Sequence, residues 1–258
     1  MKILVCIKQV PDMESRFKPD STGVWFSEAD LAFRMNEYDE YAVEQAVRLK
    51  EQLGGEPELT VLSVGPDRVV EAIKKALAMG CDRGVHVQDP SAHLKDPWQI
   101  ASAICAYARK QQYDVIFTGF QSQDRGSCQV GVSVAEILDY SCATTIVGFE
   151  YADGMVTVKR ELEGGVKGIV QLKTPALVTC QLGLNVPRYP TLPNIMKAKK
   201  KEIEVVAVGD LLHEESRAAT TSFYAPAKKG SGIVLEGDVA DQVDKLIGIL
   251  KEKTAVLR

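Results

Sequence analysis

The sequence predicts an α/β protein: a mostly parallel sheet with helices on both faces, a small antiparallel meander and a C-terminal arm. Three observations lead there. Short β-branched runs alternate with helical periodicities over the first two thirds of the chain. Three strand-like stretches separated by Gly-containing turns then follow over residues 142–173. A final apolar stripe lies beyond a weakly patterned segment at residues 214–235. Strands alternating with helices need crossover connections, and these favour a parallel sheet covered on both faces.

The elements run in order. Ile3–Ile7 is a short apolar run that reads as a buried first strand. Ala42, Ala46, Leu49 and Leu53 recur on one face of a helix over 38–53. Asn36 and Asp39 supply a cap at its start, and Gly54-Gly55 a stop. Leu59–Val64 is the second strand. Val70, Ile73 and Leu77 mark a helix ending before Gly80. Val85–Val87 and Val115–Thr118 are further strands, with helices over 97–111 and 127–138. The alternation is Rossmann-like. Residues 142–150, 155–162 and 167–173, joined by Ala152-Asp153-Gly154 and Gly164-Gly165, read as the meander. Ala176–Cys180 reads as one more strand. Pro187, Pro190 and Pro193 make the next piece a turn-rich loop, followed by a short basic helix over 194–201. Val239, Val243, Leu246, Ile247 and Leu250 form an amphipathic terminal helix. These boundaries give an α/β domain over 1–210, containing the meander 142–173 and the loop 185–201, and an arm over 211–258.

Composition narrows the function. The 258 residues suit one large α/β domain or a domain with an extension. A formal net charge of −4 gives no basis for nucleic-acid binding, whose footprint is a basic stripe. No apolar run approaches the roughly 20 residues needed to span a bilayer. The apolar start at Met1–Ile7 is too short for a secretory signal. Six scattered cysteines form neither a disulfide framework nor a zinc site, which points to free thiols and the cytoplasm. Neither common nucleotide fingerprint, GxxxxGK[ST] or GxGxxG, is present, and no catalytic or metal-ligand constellation stands out.

The most informative stretch runs from Thr118 to Gly131. A buried strand ends, a small polar loop follows, and a helix begins near Ser127. Unpaired amides at a helix N-terminus suit a phosphate. Gly126 and Ser127 would let the backbone come close, and Asp124 is placed to cap. An ordinary βα turn accounts for the same spacing. In a parallel sheet, however, Cys6–Asp12, Val64-Gly65-Pro66 and Gly119–Val130 all emerge at the carboxyl edge, where ligands bind at a switch point of strand order.

A longer string is recognisable. Asn185-Val186-Pro187-Arg188-Tyr189-Pro190-Thr191-Leu192-Pro193-Asn194-Ile195-Met196-Lys197 closely resembles the recognition loop of electron-transfer flavoprotein beta subunits. The likeness extends to Asn36–Glu40, Ala76–Gly80, Asp82-Arg83-Gly84, the Gln121–Val130 loop and Val158–Gly165 with Pro175–Val178.

The resemblance implies a small subunit without catalysis of its own, paired in a heterodimer with an alpha subunit that carries most of the FAD site. It implies AMP in this subunit, the pocket that in electron-bifurcating members holds a second FAD. The contacts carried over are Cys6, Asn36, Glu37, Tyr38, Asp39, Val64, Gly119, Phe120, Gln121, Ser122, Gln123, Asp124, Arg125, Gly126, Ser127, Cys128, Gln129 and Val130. It implies that Leu192 anchors a partner dehydrogenase, together with Pro193, Ile195, Met196, Lys197 and Lys200. It implies that the tail crosses onto the alpha subunit. Bifurcating members usually read Asp-Gly-Asp-Thr where this chain has Asp124-Arg125-Gly126-Ser127, and the others Asp-Asp-Asp or Asp-Asn-Asp. Arg125 matches neither; it adds bulk at the pocket, and AMP is the favoured ligand. The expected role is relay of electrons from dehydrogenases, such as acyl-CoA dehydrogenases, toward a quinone-linked acceptor. The alternatives are a bifurcating subunit oxidising NADH through its own FAD, and a non-redox nucleotide-binding protein on the same fold.

Overall fold

The computed structural model describes residues 1–54, 57–224, 230 and 232–255. The first half carries β1 (Lys2–Cys6), β2 (Gln9–Pro11), β3 (Phe33–Met35), α1 (Glu37–Leu53), β4 (Glu58–Gly65), α2 (Val69–Met79), β5 (Arg83–Gln88) and α3 (Pro97–Ala108). The second half carries β6 (Val115–Gly119), α4 (Val130–Leu138), β7 (Ser141–Ala152), β8 (Met155–Glu161), β9 (Lys167–Lys173) and β10 (Ala176–Cys180). The last elements are α5 (Leu192–Ala198), β11 (Ile203–Ala207) and α6 (Val239–Lys253).

Nine strands form one sheet in the order β11-β5-β4-β1-β6-β10-β7-β8-β9. All pairings from β11 to β7 are parallel; β8 and β9 extend the sheet antiparallel, as the predicted meander. The residues of β1 show why both faces are covered. Ile3 and Val5 enter one core with α1 and α2, while Leu4 and Cys6 enter a second with α3 and α4. Strand side chains alternate between faces, so a strand apolar at every position must be buried on both. The chain runs from β1 outward to β4 and β5, then returns to place β6 on the opposite side of β1. The strand order reverses there.

The predicted elements appear with shifted ends. The helix expected over 97–111 stops at Ala108, and the one expected from 127 starts at Val130. The basic helix expected over 194–201 spans Leu192–Ala198, so Leu192 and Pro193 open a helix instead of lying in a loop. Gly54 ends α1 in the left-handed conformation that glycine tolerates; Gly55, its predicted companion, lies outside the described residues. The β2–β3 pair and the edge strand β11 were not anticipated.

The chain divides into two compact units, Met1–Phe223 and Tyr224–Arg258. In the first, residues 214–223 lie along α3 and the 20–27 turn. Asp96 caps α3 at Gln99 N–H (2.8 Å) and its other oxygen accepts from the Ala218 N–H (2.9 Å). The Arg217 guanidinium sits 3.5 Å above the Trp98 ring, and Phe223 N–H reaches the Gly23 carbonyl at 2.7 Å. The described part of the second unit centres on α6, which buries none of its residues. Residues 225–229, 231 and 256–258 of the predicted arm lie outside the described residues.

Candidate functional site

The first turn of α1 organises the carboxyl edge of the sheet. Asp39 is buried there and accepts two backbone N–H groups, Lys8 at 2.7 Å and Gly119 at 3.0 Å. One carboxylate thus joins the end of β1 to the end of β6. Burial pushes the Asp39 carboxyl up to about 7, against the pull of the two amides and of Asn36. Asn36 occupies the N-cap position but its side chain does not cap the helix. Its Nδ2 donates to the Gln121 carbonyl (2.8 Å) and its Oδ1 accepts from the Gln123 N–H (3.0 Å), holding the 121–123 loop instead. Gly119 is required by this packing, because a Cβ there would lie 2.2 Å from Asp39 Oδ1.

Asp124 does not cap α4 either. It pairs instead with Lys8 Nζ at 2.6 Å, just past the end of β1, and the helix begins at Val130, three residues later than its sequence suggests. No side chain caps α4, whose start at Val130 and Gly131 lines the cleft. Gly131 permits the approach of α4 to the sheet, since a Cβ there would meet Thr118 Oγ1 at 2.6 Å. Gly126 and Cys128 both hold positive φ in the preceding loop, at 60° and 56°.

A cleft opens between these segments, at the reversal of strand order. Of the residues singled out from sequence, it is lined by Cys6, Asn36, Asp39, Val64, Gly119, Phe120, Gln121, Ser122, Asp124, Arg125, Ser127, Cys128, Gln129 and Val130. Glu37, Tyr38, Gln123 and Gly126 stand behind that wall: Gln123 Nε2 donates to Glu37 (3.0 Å) and Gln121 Nε2 to the Tyr38 hydroxyl (3.0 Å). Burial pushes the Cys6 thiol up, so it serves as a small apolar wall.

The opposite wall was missed. Trp25, Phe26, Phe33, Arg68 and His93 face the cleft from the 20–27 turn, β3 and the loops after β4 and β5. Trp25 stacks on Phe26 with ring centroids 4.3 Å apart, and Arg68 lies 4.2 Å above Phe33. Arg125 crosses between the walls: its guanidinium sits 4.7 Å above Trp25 and donates to the His93 carbonyl. Three buried polar atoms on this lining lack a partner, Gln9 Oε1, Trp25 Nε1 and Arg68 Nε. Buried donors and acceptors are nearly always satisfied, so three together ask for a polar ligand.

The second predicted site lies apart from the cleft. Leu192 is 78% exposed at the first position of α5, where Thr191 Oγ1 accepts the Asn194 N–H at 3.4 Å. Pro193, Met196, Lys197 and Lys200 are also exposed, while Ile195 packs toward the core shared by α1 and α2.

Fold and cleft together define an α/β protein with a crevice at the carboxyl edge of its sheet, the place where proteins of this class bind ligands. A family model for the electron transfer flavoprotein domain matches residues 23–211. Electron transfer flavoprotein subunit beta of Methylophilus methylotrophus is 35% identical over 261 residues, covering 98% of each chain. The mouse (Mus musculus) protein of the same name is 40% identical over 257 residues, covering 98% of this chain and 97% of its own. That of Bacillus subtilis is 36% identical over 262 residues and covers both chains fully. The chain belongs to the electron transfer flavoprotein beta subunit family.

Proposed function

We propose that this chain is the small subunit of a heterodimeric electron carrier, and that its cleft holds AMP. The observation that carries the nucleotide reading is the convergence of the loops after β1, β4 and β6 on the uncapped start of α4, beside three unpartnered polar atoms. These residues fit a nucleotide. The α4 amides suit a phosphate, Cys6 and Val64 give an apolar wall, and the Asn36–Asp39 turn fixes the loop between them. Arg125 bridging to Trp25 and His93 narrows the mouth, which favours a mononucleotide over a second FAD. FAD, held mainly by an alpha subunit, supplies the redox chemistry; this chain shapes one side of that site. Working in the cytoplasm, the carrier takes electrons from dehydrogenases, such as acyl-CoA dehydrogenases, and passes them toward a quinone-linked acceptor. Among the described residues no helix is long and apolar enough to cross a membrane.

Acid extraction of the purified heterodimer, followed by chromatography, should release one AMP and one FAD. Two FAD and no AMP would make this the bifurcating type, and a colourless complex would leave only a non-redox nucleotide-binding protein.

The exposed segment opening α5 is the proposed dehydrogenase contact. A capped helix start flanked by prolines presents Leu192 with little ordering left to do on binding. Leu192→Ala should weaken reduction by the dehydrogenase at sub-saturating concentration by roughly thirtyfold, the consequence of losing about 2 kcal/mol from a central apolar anchor. Flavin content and heterodimer stability should stay unchanged. An unaltered rate would remove Leu192 from the contact.

A further inference from the structure

Between β10 and α5 the chain has no regular structure, yet it exposes Val186 at 78% and Tyr189 at 95% and leads straight into Leu192, 78% exposed at the first position of α5. A segment of that kind needs an external hold if its apolar side chains are to meet a partner in one pose. That hold is visible on α1. The Arg188 N–H and Nε donate to Glu44 Oε2 at 3.1 and 2.8 Å, and Nη2 reaches Glu44 Oε1 at 3.2 Å. The other edge of the guanidinium takes Glu51, with Nη1 at 2.6 Å and Nη2 at 2.9 Å.

Neighbouring bonds repeat the attachment. Arg48 Nη2 donates to the Val186 carbonyl at 3.2 Å, and Asn185 Nδ2 to the Tyr41 carbonyl at 3.0 Å. The Glu44 side chain is only 3% exposed, an arrangement that is costly unless the charge is paired. Burial pushes its carboxyl up, but hydrogen bonds from Arg188 and Arg48 outweigh that and leave it below the usual carboxylate range. A lysine could not replace this arginine. Its single ammonium cannot reproduce the four bonds that the planar fork spreads over two carboxylates while the main-chain amide serves one of them.

We infer that Arg188 is the positioning residue of the dehydrogenase contact: clamped between Glu44 and Glu51, it fixes the backbone from which Tyr189 and Leu192 project. The inference rests on the docking role proposed above. It assigns to Arg188 no contact with the partner, only the placement of residues that make one.

The test uses the intact heterodimer as Arg188→Gln, Arg188→Lys and Leu192→Ala variants. Two quantities are read, amide hydrogen exchange over residues 185–191 and the dependence of flavin reduction on dehydrogenase concentration. Arg188→Gln should speed exchange there by about tenfold or more, since local opening governs protection. It should raise the half-saturating dehydrogenase concentration by about tenfold, because a loosened segment must be ordered on binding. The maximal rate and the FAD content should not change, and Arg188→Lys should fall between wild type and Arg188→Gln. Unchanged exchange and half-saturation in both Arg188 variants, with Leu192→Ala impaired, would overturn the clamp and keep the docking role. A silent Leu192→Ala with exchange still accelerated in Arg188→Gln would remove the docking role, and the positioning role with it.

Discussion

Gly119→Ala is expected to destabilise the protein by about 3 kcal/mol and to strip the cleft of its nucleotide. The new Cβ would lie 2.2 Å from Asp39 Oδ1, 2.8 Å from Tyr38 Cβ and 3.1 Å from the Asp39 backbone nitrogen. No rotamer relieves a clash that includes backbone, so the start of α1 must move. Both amide bonds to Asp39 then weaken together, leaving a buried carboxyl and two partly buried N–H groups short of partners. The Asn36 contacts to residues 121 and 123 shift with it. Urea denaturation of the heterodimer measures the loss, and acid extraction measures nucleotide content. Gly209→Ala is the control: nothing lies within 4 Å of a Cβ there, and the change should stay within about 0.5 kcal/mol. Equal effects at the two sites would show that the Asp39 bridge is not what holds the cleft.

Removing residues 236–258 should weaken association with the alpha subunit by about two orders of magnitude, the equivalent of about 3 kcal/mol of lost apolar burial. Helix α6 has 15 residues and buries none of them. Val239 is 77% exposed, and Val243, Leu246 and Ile247 lie between 38% and 47%. A helix of this length is marginal alone in water, and its apolar stripe needs a surface. If that surface is the partner, the truncated small subunit keeps its own thermal transition while the complex loosens. If the truncated subunit unfolds, or the complex stays as tight, α6 serves its own chain.

Much of this was legible from residue patterns because burial on two faces leaves little freedom. Strands such as Ile3–Cys6 and Val115–Phe117 are apolar at successive positions only because each lies between two helical layers. The loop 119–130 was legible as a wall of the cleft because it follows such a strand. Its inner workings were not. Asn36 and Asp124 have the chemistry of helix caps, and spacing cannot tell that each is taken by a group more than 80 residues distant. The aromatic wall was hidden for a similar reason. Trp25, Phe26, Arg68 and His93 come from unrelated segments and carry no shared period. β2 and β3 have three residues each, too few to show alternation, and β2 includes Pro11. β11 did carry a signal, the β-branched run Ile203-Glu204-Val205-Val206, but it lies at the sheet edge with no buried residue.

The strand order bears on how the chain assembles as it is made. Strand β10 lies between β6 and β7, although β7 precedes it in the chain. Until residues 176–180 leave the ribosome, β7 has only its hairpin with β8, and the outer edge of β6 stands open. β1, β4 and β5 can pair early, since all three are made before residue 89, but the two halves of the sheet join only when this late strand is inserted. A nascent chain halted before residue 180 would therefore present two unpaired strand edges at once, which makes it prone to pairing with other chains. Pausing of translation is safer after this strand than before it.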